Sequence, residues 1–167
     1  MEKQQIIHVG SGIYAPARIQ IDSDMMPEQS EVDYEATLVI EGSRYVVEEL
    51  VLRRSRAWDA PEGPPITGEL LRKIPVQRIV KVAARIESGI LDESGEVTPL
   101  RFTDADIERL VKAGATDETL LAVAQIYATA SLIGDPQAKN VAGVLNIPLS
   151  TAGYWIRRAK DRGFLDG

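Results

Sequence analysis

The chain has 167 residues and a formal charge of −6, with 44% hydrophobic, 26% charged and 5% aromatic residues, a makeup that fits one or two folded domains. It has no cysteine and one histidine, His8, which excludes disulfides, zinc–thiolate and iron–sulfur sites and every metal motif needing two imidazoles. Its acidity disfavours a protein that coats nucleic acid with its whole surface.

The charge is nevertheless blocked along the chain. Residues 1–43 and 86–136 are acidic, whereas 44–85 and 137–167 are basic. A local basic surface inside an acidic protein is therefore available. No apolar run approaches a membrane span. The start, MEKQQIIHVG, lacks a basic stretch followed by an apolar one, so no signal peptide is read and a cytoplasmic location is expected.

The first 56 residues read as strands. Ala17 to Ile21 alternates apolar and polar at period 2, Tyr34 to Ile40 does so more loosely, and Tyr45 to Leu52 is rich in β-branched and apolar types. Residues 34–53 form an expected hairpin with its turn near Gly42. Glu48 and Glu49 would be awkward in a buried strand, so that strand is expected half exposed or bulged. Asp22 to Ser30, acidic and interrupted by Pro27, reads as a loop.

Asp59 to Pro65 (DAPEGPP) has linker composition. Thr67 then caps a short helix that Pro75 interrupts. After it, Val76, Ile79, Val80, Ala83 and Ile86 follow helical spacing, with Arg78, Lys81 and Arg85 as the opposite, basic stripe. Gly89 ends this helix and residues 90–101 read as a loop. Thr103, with Asp106 as capping-box partner, starts a helix running to about Lys112. Thr116 caps a longer one to about Ile133, and Asp135-Pro136 has the cap-then-proline order of a further helix start.

Gln137 to Trp155, QAKNVAGVLNIPLSTAGYW, has the spacing of a helix-turn-helix. Two short helices that cross closely need a small residue in the first, and Ala142 fills that place. The bend needs a residue tolerant of a left-handed backbone, and Asn146 lies four positions later. Val141, Leu145, Ile147, Ala152 and Trp155 plug the joint, and Ser150 is placed to cap the second helix. That helix, from Thr151 to about Arg162, buries Ala152, Trp155, Ile156 and Ala159. Its opposite face carries Thr151, Tyr154, Arg157, Arg158 and Asp161. Gly153 permits close backbone approach. The candidate DNA contacts are Ser150, Thr151, Gly153 and Tyr154 near base edges, Arg157, Arg158 and Lys160 toward phosphates or guanine, and Lys139 on the backbone.

Residues 120–165 resemble the C-terminal part of small helix-turn-helix proteins of actinobacteria and their phages. The shared elements are a "VAxxYxxA" helix, here Val123, Ala124, Tyr127 and Ala130, and a "STAxxWxxRARxxGxL" motif. The latter is matched by Ser150, Thr151, Ala152, Trp155, Arg158, Ala159, Lys160, Gly163 and Leu165. Residues 66–79 are similar to a second, upstream stretch of that group. The resemblance implies a DNA-binding, regulatory protein. The chain departs from the group at Ile147-Pro148-Leu149, where valine, serine and a polar or basic residue are usual. Leu149 offers no base-reading group, so an operator preference does not carry over.

Other features carry less. His8 beside Gly10-Ser11-Gly12 lacks the lysine and spacing of a P-loop and reads as a strand-to-turn junction. The acidic stretches Asp22–Asp33 and Asp92–Glu96 lack calcium-loop spacing and read as solvated loops. No catalytic constellation stands out, and no enzyme activity, metal or cofactor is expected. Trp58 reads as a packing anchor between the halves.

The expected fold is α+β, an N-terminal antiparallel β-rich half followed by a C-terminal helical helix-turn-helix domain. Its units are a β-rich domain (1–58), a linker (59–65), a proline-interrupted helix and loop (66–101), and a helical domain (102–167) with the motif at 137–162. The expected function is sequence-specific binding of double-stranded DNA in a transcriptional regulator, the expected partners being a second copy in a homodimer and a protein at the N-terminal half. A protein-binding adaptor, including a phage packaging or recombination accessory, is the alternative, since the acidic chain suits a basic partner. The stripe Arg78, Lys81 and Arg85 is either a second DNA contact or a solvated face.

Overall fold

The computed structural model describes residues 5–25, 32–54 and 65–165. Trp58, residues 59–64 of the expected linker and part of the acidic stretch after Asp22 lie outside them. The described chain is α+β, with strands in its N-terminal part and helices after them. In order it forms β1 (Ile6–Gly10), β2 (Ile13–Pro16), β3 (Arg18–Asp22), β4 (Val32–Glu41), β5 (Arg44–Arg54), α1 (Gly68–Lys73), α2 (Val76–Glu87), β6 (Gly89–Leu91), β7 (Val97–Pro99), α3 (Asp104–Ala113), α4 (Asp117–Leu132), α5 (Gln137–Leu145) and α6 (Leu149–Asp161).

Two antiparallel sheets result, one ordered β1-β2-β6-β7 and the other β3-β4-β5. The chain passes from one to the other at Ala17, whose amide bonds Gln5 and whose carbonyl accepts the Ile40 amide. Tyr45 ties them together as well: its buried hydroxyl donates to the Pro16 carbonyl at 2.6 Å, and burial pushes its phenol above the ordinary range. In β3, Ile19 and Ile21 face inward while Arg18, Gln20 and Asp22 face out, the alternation read from the sequence. Gly42 turns β4 into β5 at a φ of 64°. The register slips where Thr37 faces Glu49 and Leu38 faces Val47. Glu48 is the extra residue of that bulge, which keeps both glutamates exposed.

Residues 90–101, read as a loop, instead supply the β6–β7 hairpin. Asp92 turns it by accepting the amides of Ser94 and Glu96, which leaves that carboxylate engaged within its own loop. Gly89 does not cap α2, whose C-cap is Ser88. The glycine is the first residue of β6, packed so close to β7 that an added Cβ would lie 1.7 Å from the Thr98 carbonyl oxygen. Only glycine fits there. His8 accepts the Gly12 amide at 3.2 Å and sits 5.0 Å from the Tyr14 ring, so the Gly10–Gly12 stretch is the turn of the β1–β2 hairpin.

Two hydrophobic clusters fill the interior. The first joins the strands to α2 through Ile13, Ile19, Leu38, Ile79 and Ala83, and it includes Ala128, Leu132 and Ile133 from the end of α4. The second joins α3, α4, α5 and α6 through Leu110, Leu120, Val123, Val141, Leu145 and Trp155. α4 thus belongs to both, and it is buried on most of its circumference. Thr67, Thr103 and Thr116 cap α1, α3 and α4 as their sequence positions require, Thr103 with Asp106 in a full capping box. Ile86 departs from expectation: it lies on α2 but is 51% exposed. Among the described residues no helix is long and apolar enough to cross a membrane.

Candidate nucleic-acid interface

α4, α5 and α6 contact one another pairwise. The geometry of this trio follows from its joint. α5 ends at Asn146, which adopts a left-handed backbone (φ 51°, ψ 46°), and the Ile147 amide returns to the Ala142 carbonyl at 3.0 Å. Asparagine tolerates this conformation better than any other residue with a Cβ. The bend aims α6 away from α5 while Val141, Leu145, Ala152 and Trp155 close the space between them, each no more than 6% exposed.

At about 3.6 residues per turn, Ser150, Tyr154, Arg157 and Asp161 fall on one ridge of α6, and all four are exposed. Thr151 and Arg158 flank the ridge on one side, half-buried; Gly153 and Lys160 flank it on the other. Ala152, Trp155, Ile156 and Ala159 form the opposite, buried face. On α5, Lys139 is exposed and shares a ridge with Gly143 and Asn146. On α6 the candidate residues thus span the ridge and both its flanks, and they are not equally accessible.

Arg158 is the least accessible of the cations. Its Nε is buried without a hydrogen-bond partner among the described residues, an arrangement that costs free energy unless another group completes it. The Lys160 ammonium lies over the ring of Tyr127, 5.7 Å from its centroid, a cation–π contact made by the charged group itself on an otherwise exposed residue. Lys139 and Arg157 form no ion pair with any described residue. The acids at the N-terminal end of α4 are matched elsewhere: Asp117 meets Arg162 and Glu118 meets Arg109, both at 2.5 Å. Arg162, whose place just past α6 gave no reason to single it out, thus screens an acid beside the candidate surface.

Three local readings change. Ser150 does not cap α6, nor does Asp135 cap α5. The N-cap residues are Pro148 and Pro136, and neither helix start has a side-chain cap or an acidic residue in its first turn. The amides there remain open to an anion. Gly153 approaches nothing within the chain, because a Cβ placed on it meets no atom within 4 Å.

Asp135 is used differently. Its carboxylate lies 2.5 Å from Lys81 and 3.9 Å from Arg85 on α2, and it accepts a hydrogen bond from the Asn140 side-chain Nδ2 at 3.3 Å. Two of the three cations of the α2 stripe are therefore turned onto the α4–α5 corner, and Arg78 is also engaged within the chain. Lys81 thereby ties α2 to the α4–α5 corner, while the side chain of Arg85 stays 61% exposed.

A scan against protein-family models, a search of curated proteins and a search of solved structures each find no match to this chain.

Proposed function

We propose that α5, the Asn146 bend and α6 form a helix-turn-helix that binds duplex DNA sequence-specifically, in a transcriptional regulator. The observation that carries this reading is the outward ridge of α6. A hydroxyl, a phenol and an unpaired guanidinium project from Ser150, Tyr154 and Arg157, while the other face is anchored by Trp155. A helix of this size fits the major groove, where such groups meet base edges and phosphates. Lys139 on α5, and Arg158 and Lys160 on the two flanks of the ridge, supply further positive charge, and the uncapped starts of α5 and α6 offer amides to phosphate oxygens. The resemblance of residues 120–165 to small regulators of actinobacteria and their phages points the same way.

That Lys139 and Arg157 pair with no acid among the described residues favours DNA over an adaptor role, in which acidic loops would cover them. One such motif contacts few base pairs, so the reading includes a homodimer on a two-fold site, with half-sites about 34–36 Å apart. The N-terminal strands then serve assembly or a protein partner.

Selection from randomised duplexes, followed by mobility shifts on the enriched site, tests this. Arg157→Ala is expected to weaken binding and reduce its salt slope by about one. Tyr154→Ala is expected to relax sequence preference more than it weakens non-specific binding. No enrichment, together with capture of a basic protein, would replace DNA by the adaptor.

A further inference from the structure

The two hydrophobic clusters do not close on each other along the whole of α4. Between them lies a cleft of about 580 Å³, within the range of roughly 300–1,000 Å³ typical of small-molecule sites. Its apolar wall comes from both sides of the seam. Leu100 and Ile133 belong with the sheet cluster; Phe102, Ile126 and Val144 belong with the helical one. The misplaced Ile86 stands at its edge, leaving a large apolar side chain in water.

The charged groups of the cleft are all of one sign. Arg85 and Arg101 line it, and no aspartate or glutamate does. Arg101 is exposed and forms no ion pair with any described residue. Arg85 lies 3.9 Å from one oxygen of Asp135, while Lys81 holds the other at 2.5 Å. Both guanidiniums retain donors for a planar anion, and a carboxylate matches their fork.

We propose that this cleft binds a small amphipathic carboxylate, its apolar body lying along Ile126 and Val144 and its head between Arg85 and Arg101. Asn140, on α5, also lines the cleft and donates its side-chain amide to Asp135. The binding itself does not rest on the DNA reading.

Calorimetric titration of the full chain with decanoate below its aggregation threshold is the test, with decanol as the uncharged control. Decanoate is expected to saturate one site and to bind about tenfold or more tightly than decanol, the worth of a charge-assisted pair. Arg101→Gln, an exposed substitution that leaves the core intact, is expected to remove most of that difference. Val144→Trp is expected to block both ligands, with its circular dichroism unchanged from the parent. Absence of saturable decanoate binding, equal affinity for decanol, or an Arg101→Gln variant that binds as the parent does would overturn the proposal. No DNA enters the measurement, so its failure leaves the reading of α6 untouched.

Discussion

The hydroxyl of Ser11 donates to the main-chain oxygen of Phe164 at 2.8 Å, joining residues 153 apart in sequence. The tip of the first hairpin is thereby fastened to the segment leaving α6. Ser11→Ala removes the donor but keeps the Cβ, so the backbone at φ 54° is equally strained before and after. The expected loss is about 0.5–1.5 kcal/mol. It should be seen in thermal melts, with faster amide exchange after Lys160.

Asn146 sets the bend between α5 and α6. Asn146→Gly is expected to leave stability within about 1 kcal/mol of the parent, because glycine adopts a left-handed backbone freely. Asn146→Val is expected to cost about 1–2 kcal/mol or more. Urea midpoints at unchanged slope distinguish the two; equal midpoints would mean that the bend does not depend on this residue.

Gly89→Ala tests the close approach of β6 and β7. The added Cβ meets main-chain atoms of Thr98 and Pro99, which cannot rotate aside as a side chain would. A loss of about 3 kcal/mol is expected, at the upper end for overpacking. Gly143→Ala, where a Cβ meets nothing within 4 Å, is the matched control and is expected to stabilise α5 by up to about 1 kcal/mol.

The capping box of α3 carries a pH signature. The Thr103 hydroxyl and amide, at 2.6 and 3.0 Å, hold the Asp106 carboxyl below its ordinary value of 3.8, with Arg109 adding to the effect. A depressed carboxyl contributes stability above its unfolded-state pKa and loses it as pH falls through the lower folded-state value. Asp106→Ala should therefore melt below the parent at neutral pH, with the gap closing as pH falls below 3.8. A gap that stays constant down to acid would show that the carboxylate charge is not what matters.

Much of the local grammar was legible because its causes are local. Thr67, Thr103 and Thr116 cap the helices that follow them, and each cap bonds an amide within three residues. The Asn146 bend and the Glu48 bulge were likewise written in short stretches. What could not be read depends on partners distant in sequence. Asp135 has the composition of a helix cap, but Lys81, on another helix, takes its carboxylate. β6 and β7 are three residues each, too short for a period-2 pattern, and β6 is held to β2 at Tyr14 and Gly89. Ile86 fits the apolar spacing of α2, yet it lies beside a cleft whose other walls come from residues 99–102, α4 and α5.

α4 is the keel of the molecule, since both oily bodies are built on it. A fragment cut before Phe102 would keep the bend and α6 but would strip the sheet from Ala128, Leu132 and Ile133, leaving a bare greasy flank that invites self-association. The end that faces outward through Tyr154 and Arg157 is therefore expected to lose stability when the strands are cut away.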